Sequence, residues 1–134
     1  MSLRVKRAYE EPAASDGTRV LVERLWPRGV SKDDAAIELW LKDVAPSTEL
    51  RQWFAHDPAK WAEFRRRYRS ELMAHPEAVM ELRKLARRTK VTLIYAAKDE
   101  EHNSALVLKE LLEHSSKQKK ALTTTRATGR RAKA

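Results

Sequence analysis

The sequence predicts a small α/β domain, a short sheet with helices packed on it. Three observations carry that prediction. Two short apolar runs, Val20-Leu21-Val22 and Val91-Thr92-Leu93-Ile94-Tyr95, read as buried strands. Between them, apolar residues recur at intervals of three and four, the period of a helix. Strands stand at the start and again near the end, with helices between and after them, which is the order of a mixed α/β fold.

Each element has its own signal. Residues 3–9 alternate apolar and basic side chains, as a half-exposed strand does. Pro12 and then Asp16-Gly17 mark a turn. Residues 19–25 form the first buried strand, ended by Pro27 and Gly29. Residues 37–42 place Ile37, Leu39 and Leu41 on one face, which predicts a third strand, with a short helix as the alternative. Ser47 is a cap for a helix carrying Leu50, Trp53 and Phe54. Asp57-Pro58 repeats that grammar before Trp61, Phe64, Tyr68 and Leu72. Pro76 opens a third helix with Val79, Leu82, Leu85 and Ala86. Residues 91–97 are the clearest strand. Asp99 is read as the cap of the last helix, whose stripe is Ala105, Leu108, Leu111 and Leu112.

Composition narrows the function classes. At 134 residues and 42% apolar content the chain is long enough for one domain with a core. No apolar run approaches the ~20 residues that cross a bilayer, and the N-terminus lacks the pattern of a secretion signal, so a cytoplasmic protein with no membrane partner is expected. The absence of cysteine rules out disulfides, thiolate catalysis and thiolate metal sites. The net charge of +9 is uneven: residues 115–134 carry seven basic side chains and no acid, leaving +2 for residues 1–114. The chain therefore divides into a domain at 1–114 and a basic tail at 115–134 that reads as disordered. Such a tail fits non-specific contact with nucleic acid.

Two polar clusters follow the two buried strands: Arg24-Leu25-Trp26-Pro27-Arg28-Gly29 and Lys98-Asp99-Glu100-Glu101-His102-Asn103. If both runs belong to one sheet, these clusters share a strand end, where open α/β sheets hold ligands. Arg24, Trp26, Arg28, Lys98 and Asn103 are the expected ligand-binding residues, for a group bearing phosphate or carboxylate, since guanidinium forks bind both. Acidic residues in the first turn of the last helix argue against an anion there. If chemistry occurs, Asp99 and His102 are the acid–base candidates, followed by Tyr95, on a nucleotide or nucleic-acid substrate. The alternative is a non-enzymatic binding module that uses the tail.

Other motifs carry less. His56-Asp57 is not read as a catalytic pair, because Asp57 is the cap before Pro58 and adjacent residues rarely face each other. No histidine pair has zinc spacing, so no metal is expected, and with three glycines there is no nucleotide-binding loop, so no cofactor is expected. Four tryptophans interleave with Arg51, Arg65, Arg66, Arg67 and Arg69, a pattern that can stack bases; Trp53 and Trp61 read instead as core.

Taken together, Asp16-Gly17-Thr18-Arg19-Val20-Leu21-Val22, Arg24-Leu25-Trp26-Pro27-Arg28-Gly29, Trp40-Leu41-Lys42, Ala45-Pro46-Ser47, Leu50-Arg51, Trp53-Phe54, His56-Asp57-Pro58, Trp61, Phe64, Tyr68, Tyr95-Ala96-Ala97-Lys98-Asp99 and His102-Asn103 resemble the bacterial domain of unknown function 488, the YeaO-like proteins. The resemblance covers nearly all of residues 3–113 and leaves the tail outside. It implies a cytosolic α/β domain and no established activity.

Overall fold

The structure, a computed structural model, describes residues 3–113. Strands β1 (Leu3–Arg7), β2 (Thr18–Leu21), β3 (Leu39–Trp40) and β4 (Val91–Tyr95) form one sheet in the order β1-β4-β2-β3. Every neighbouring pair is parallel, so all four strands end at the same edge. The helices are α1 (Lys32–Ala35), α2 (Thr48–Phe54), α3 (Trp61–Met73), α4 (Pro76–Arg88) and α5 (residues 104–113). No helix among the described residues is long and apolar enough to cross a membrane.

The central strands are buried on both faces, which is why their sequences read as continuous apolar runs. Val20, Val22, Leu93 and Tyr95 face the main core, built with Leu50, Phe54, Phe64, Tyr68, Leu72, Leu82, Leu108 and Leu112 from α2 to α5. Leu21 and Ile94 alternate to the other face and meet Trp26, Ile37 and Trp40 in a smaller cluster.

Local chemistry explains where the helices begin. Ser47 Oγ accepts from the Leu50 N–H at 3.1 Å and donates to Glu71 of α3 at 2.5 Å, so one cap ties α2 to its neighbour. Asp57 accepts from Ala59 N–H at 3.0 Å and caps the turn at Pro58–Lys60 that leads into α3. Pro76 stands in the first turn of α4, where a missing N–H costs nothing.

Four expectations are corrected. The first two strands and the last are shorter than read, ending at Arg7, Leu21 and Tyr95. The third is reduced to Leu39–Trp40, because it lies at the sheet edge and pairs only with β2. Helix α1 was not expected, although Ser31 accepts from Asp34 N–H in ordinary capping geometry. Asp99 does not cap the last helix; Asn103 does, its Oδ1 accepting from Leu106 N–H at 3.0 Å. The reading of 115–134 as a separate basic tail falls outside the described residues.

The face of the sheet away from the main core carries a buried ion cluster. Asp16 is 1% exposed and Arg19 3%. Asp16 accepts from Arg19 Nη1 at 2.6 Å, from Lys6 Nζ at 3.2 Å and from Ala13 N–H at 3.0 Å. Burial alone would raise the Asp16 carboxyl; these donors outweigh it and hold the group below its ordinary range. Gly17 follows at φ +67°, and a Cβ there would lie 2.5 Å from the Lys90 carbonyl oxygen. That carbonyl accepts from Thr18 N–H at 2.9 Å, just where β2 joins β4.

Candidate functional site

The chain leaves β2 and β4 in different directions. After β2 it crosses the smaller cluster through Trp26 and Ile37 on its way to β3. After β4 it turns to α5 on the main-core face. A crevice of about 460 Å³ opens between the two departures, at the C-terminal edge of the sheet. Its volume is in the range of small-molecule sites. Glu23 and Leu25 reach it from the end of β2, Ala96 and Ala97 from the end of β4, and His102, Asn103 and Ser104 from the start of α5. Pro46, Thr48, Arg51, Gln52, Phe54 and His56 come from α2 and its flanks, and Phe64 from α3.

Glu23 is the acidic group of this crevice. Its Oε2 accepts from Ala96 N–H at 3.0 Å, which joins the two departing segments. Burial pushes the Glu23 carboxyl above its ordinary range; the Ala96 N–H and the charges of Arg51 and His56 oppose that push without cancelling it. Tyr68 lies behind it, fully buried, and its hydroxyl donates to the Val44 carbonyl. Burial raises the Tyr68 phenol far above its usual value, and the nearby charges of Glu23 and Glu71 add to the effect.

His102 is held on two sides. Its Nδ1 lies 2.9 Å from Asp99 Oδ2, and its ring meets Trp61 edge-on with centroids 5.2 Å apart. Asp99 Oδ1 also accepts from the N–H groups of Glu101 and His102, at 2.9 and 3.0 Å, so the carboxylate organises the turn before the helix. Those bonds hold the Asp99 carboxyl below its ordinary range, the Glu101 N–H first and the His102 ring next. Asn103 is buried, donates to the Asp99 carbonyl at 3.0 Å and caps α5. His56, which also lines the crevice, has φ +57° and directly follows Ala55 at +48°. Two successive non-glycine residues in the left-handed region are uncommon, and such geometry concentrates at working sites.

Of the eight residues read from sequence as site candidates, His102 and Asn103 line the crevice. Asp99 stands behind His102. Arg24 is half-buried behind the wall, donating to the carbonyls of Pro46 and Ala45 at 3.2 and 3.3 Å. Trp26 packs edge-on against Trp40 at 5.5 Å and donates to the Val30 carbonyl. Arg28 is exposed, and its carbonyl accepts from the Tyr9 hydroxyl. Lys98 is exposed and outside the lining. Tyr95 is a core residue, its phenol raised chiefly by burial. The two strand-end segments do come together, but the cation at the crevice is Arg51, and His56 lines it together with His102.

Glu23, Arg51 and His56 were missed as site residues. Glu23 stands one residue past an apolar run and Arg51 on the shoulder of the stripe Leu50-Trp53-Phe54, positions that mark a boundary without saying what lies across it. Within the arginine–tryptophan pattern, Arg67 covers Trp53 at 4.3 Å and pairs with Glu63 at 2.7 Å, while Arg65 pairs with Glu110. Hydrogen bonds from Arg66 and Arg67 hold Glu63 at about 2.

Comparison with known proteins adds a family. The profile described as the inactive DUF488-N3 subclade matches residues 2–129. The chain belongs to the DUF488 family. Among DUF488 relatives, the uncharacterized protein Rv3073c of Mycobacterium tuberculosis is 48% identical over 111 residues, covering 82% of this chain and 92% of that protein. The uncharacterized protein Mb3100c of Mycobacterium bovis matches to the same extent. The uncharacterized protein YeaO of Escherichia coli is 43% identical over 112 residues, covering 84% of this chain and 97% of its own length. These matches make the chain a YeaO-like member of DUF488. The DUF488 profile runs past residue 113 to 129, so the tail is not wholly outside the resemblance, as the motifs alone suggested. No solved structure matches the chain.

Proposed function

We propose that this protein binds a small ligand bearing a phosphate or carboxylate in the strand-end crevice, and that it does so without turnover. The observation that carries the reading is the meeting at one cavity of Arg51 from α2 with His102, Asn103 and Ser104 from the start of α5. A guanidinium is a protein's standard partner for phosphate and carboxylate. Of the acids in the turn before α5, Asp99 is bonded to His102 and to two backbone N–H groups, and Glu100 and Glu101 are exposed and outside the lining; Glu23, the acid within it, accepts from the Ala96 N–H, and burial holds its carboxyl above the ordinary range. The description of the matched family as an inactive subclade favours binding over catalysis. The raised Glu23 and the Asp99–His102 pair then serve recognition.

Isothermal titration of inorganic phosphate and of ribose 5-phosphate into the full chain tests the reading. Arg51→Ala is expected to weaken binding by about ten-fold or more, the worth of a charge-assisted hydrogen bond. Arg28→Ala, which removes an exposed cation outside the crevice, is expected to leave it unchanged. Equal effects of the two substitutions, or none from Arg51→Ala, overturn the proposal.

A further inference from the structure

Helix α4 ends in a run of cations with no acid paired to them. Arg83, Lys84, Arg87 and Arg88 stand on its second half, and Lys90 follows before β4. No ion pair among the described residues includes any of the five. Helix α3 is built the other way: Arg66 and Arg67 share Glu63, and Arg65 takes Glu110. On α4 the spacing works against the helix. Arg83–Arg87 and Lys84–Arg88 are like-charge pairs four residues apart, which repel. The macrodipole offsets that for Arg87 and Arg88 in the last turn, and fades before Arg83 and Lys84. Arg83 shows the imbalance. Its Nε is buried without a partner among the described residues, and burial, then the Arg87 charge, press its guanidinium below the ordinary value. Lys84, Arg87 and Arg88 are exposed and line a surface hollow of about 610 Å³ with Met80; Glu77 and Glu81 close it toward the start of the helix.

We propose that the second half of α4 binds the phosphodiester backbone of a nucleic acid, without reading its sequence. Cations spaced along an exposed helix and lacking counter-charges of their own match a partner whose negative charge repeats along its length. An anionic membrane suits the surface less. A helix held at a membrane inserts its apolar face, and the apolar face of α4, Val79, Leu82 and Ala86, is buried in the core. Residues 115–134 add seven basic side chains and no acid to the same chain. Helix α4 contributes nothing to the lining of the strand-end crevice, so this reading stands apart from the anion site there.

Fluorescence anisotropy of a labelled DNA duplex, and of the same duplex as RNA, titrated with the full chain over a series of salt concentrations, tests the proposal. Lys84→Gln/Arg87→Gln/Arg88→Gln removes three exposed cations of α4. Arg28→Gln/Lys32→Gln/Lys98→Gln removes three exposed cations elsewhere and leaves the same net charge. The α4 variant is expected to bind about ten-fold or more weakly, and its slope of log affinity against log salt is expected to flatten by about 2–3, the share of three phosphate contacts. The control variant is expected to keep the wild-type slope and affinity. Loss on DNA alone or on RNA alone supports the proposal and names the nucleic acid. Equal losses from the two variants reduce the effect to net charge and overturn it. An unchanged slope in the α4 variant, or no duplex binding by wild type, overturns it too. Sedimentation with vesicles of phosphatidylserine and phosphatidylcholine runs in parallel: vesicle binding that only the α4 variant loses, with duplex binding unaltered, assigns the surface to a membrane and overturns the proposal. All six substituted side chains are exposed, so both variants keep the fold, which circular dichroism checks.

Discussion

Replacing Asp16 with alanine should cost this domain a large share of its stability. Asp16 is 1% exposed and is the acid that faces two cations, Lys6 and Arg19. Arg19 is 3% exposed; it keeps one bond to the Ala35 carbonyl at 3.0 Å, and its Nη2 has no partner among the described residues. Removing the carboxylate therefore strands a buried guanidinium and also unties Ala13 N–H. Breaking one side of a buried pair costs about 3–5 kcal/mol. A domain of this length has about 5–15 kcal/mol in all. At roughly 4 °C per kcal/mol, the melting temperature should fall by roughly 12–20 °C. Urea and thermal unfolding followed by circular dichroism measure the loss. The cause is charge isolation, so adding Arg19→Met to Asp16→Ala should restore most of it. A single-variant loss below about 1 kcal/mol, or a double variant no better than the single, would refute the reasoning. The pH dependence has a definite sign. The folded carboxyl is held below its unfolded value, so its contribution is present above the ordinary carboxyl range and fades as pH falls through the depressed value.

Glu23 should behave in the opposite sense. Its folded value is raised, so between the ordinary carboxyl value of 4.5 and that raised value the folded state holds more protons than the unfolded one. Stability contributed by this group therefore falls as pH climbs through that window, and the deficit persists above it. Glu23→Gln should be more stable than wild type at neutral pH and show a flatter pH profile; parallel urea-unfolding profiles from pH 4 to 8 would contradict this. Gly17→Ala should destabilise by about 2 kcal/mol or more, from the positive φ and the contact with the Lys90 carbonyl. Chemical denaturation within about 0.5 kcal/mol of wild type would show that the Lys90 segment yields instead.

The amino-acid sequence determined the class of fold, the helix starts at Ser47 and Pro76, the two buried strands, and the fact that something polar gathers where those strands end. Each depends on near neighbours: a cap bonds three residues ahead, a stripe repeats every three or four, and a buried strand must be apolar on both faces. The family was legible for the same reason, in short motifs kept in order. Tertiary structure alone decided which side chains face the crevice. Arg24 and Arg51 are both arginines beside apolar residues. One bends back onto the carbonyls of Ala45 and Pro46, and the other stands on the open side of α2. That difference turns on how α2 sits across the ends of β2 and β4, which depends on packing against α3 and α5 tens of residues away. The cap of α5 turned on a choice between Asp99 and Asn103, both able side chains. Asp99 is taken up by its own turn and the His102 ring, and the helix starts at the next residue that can cap it.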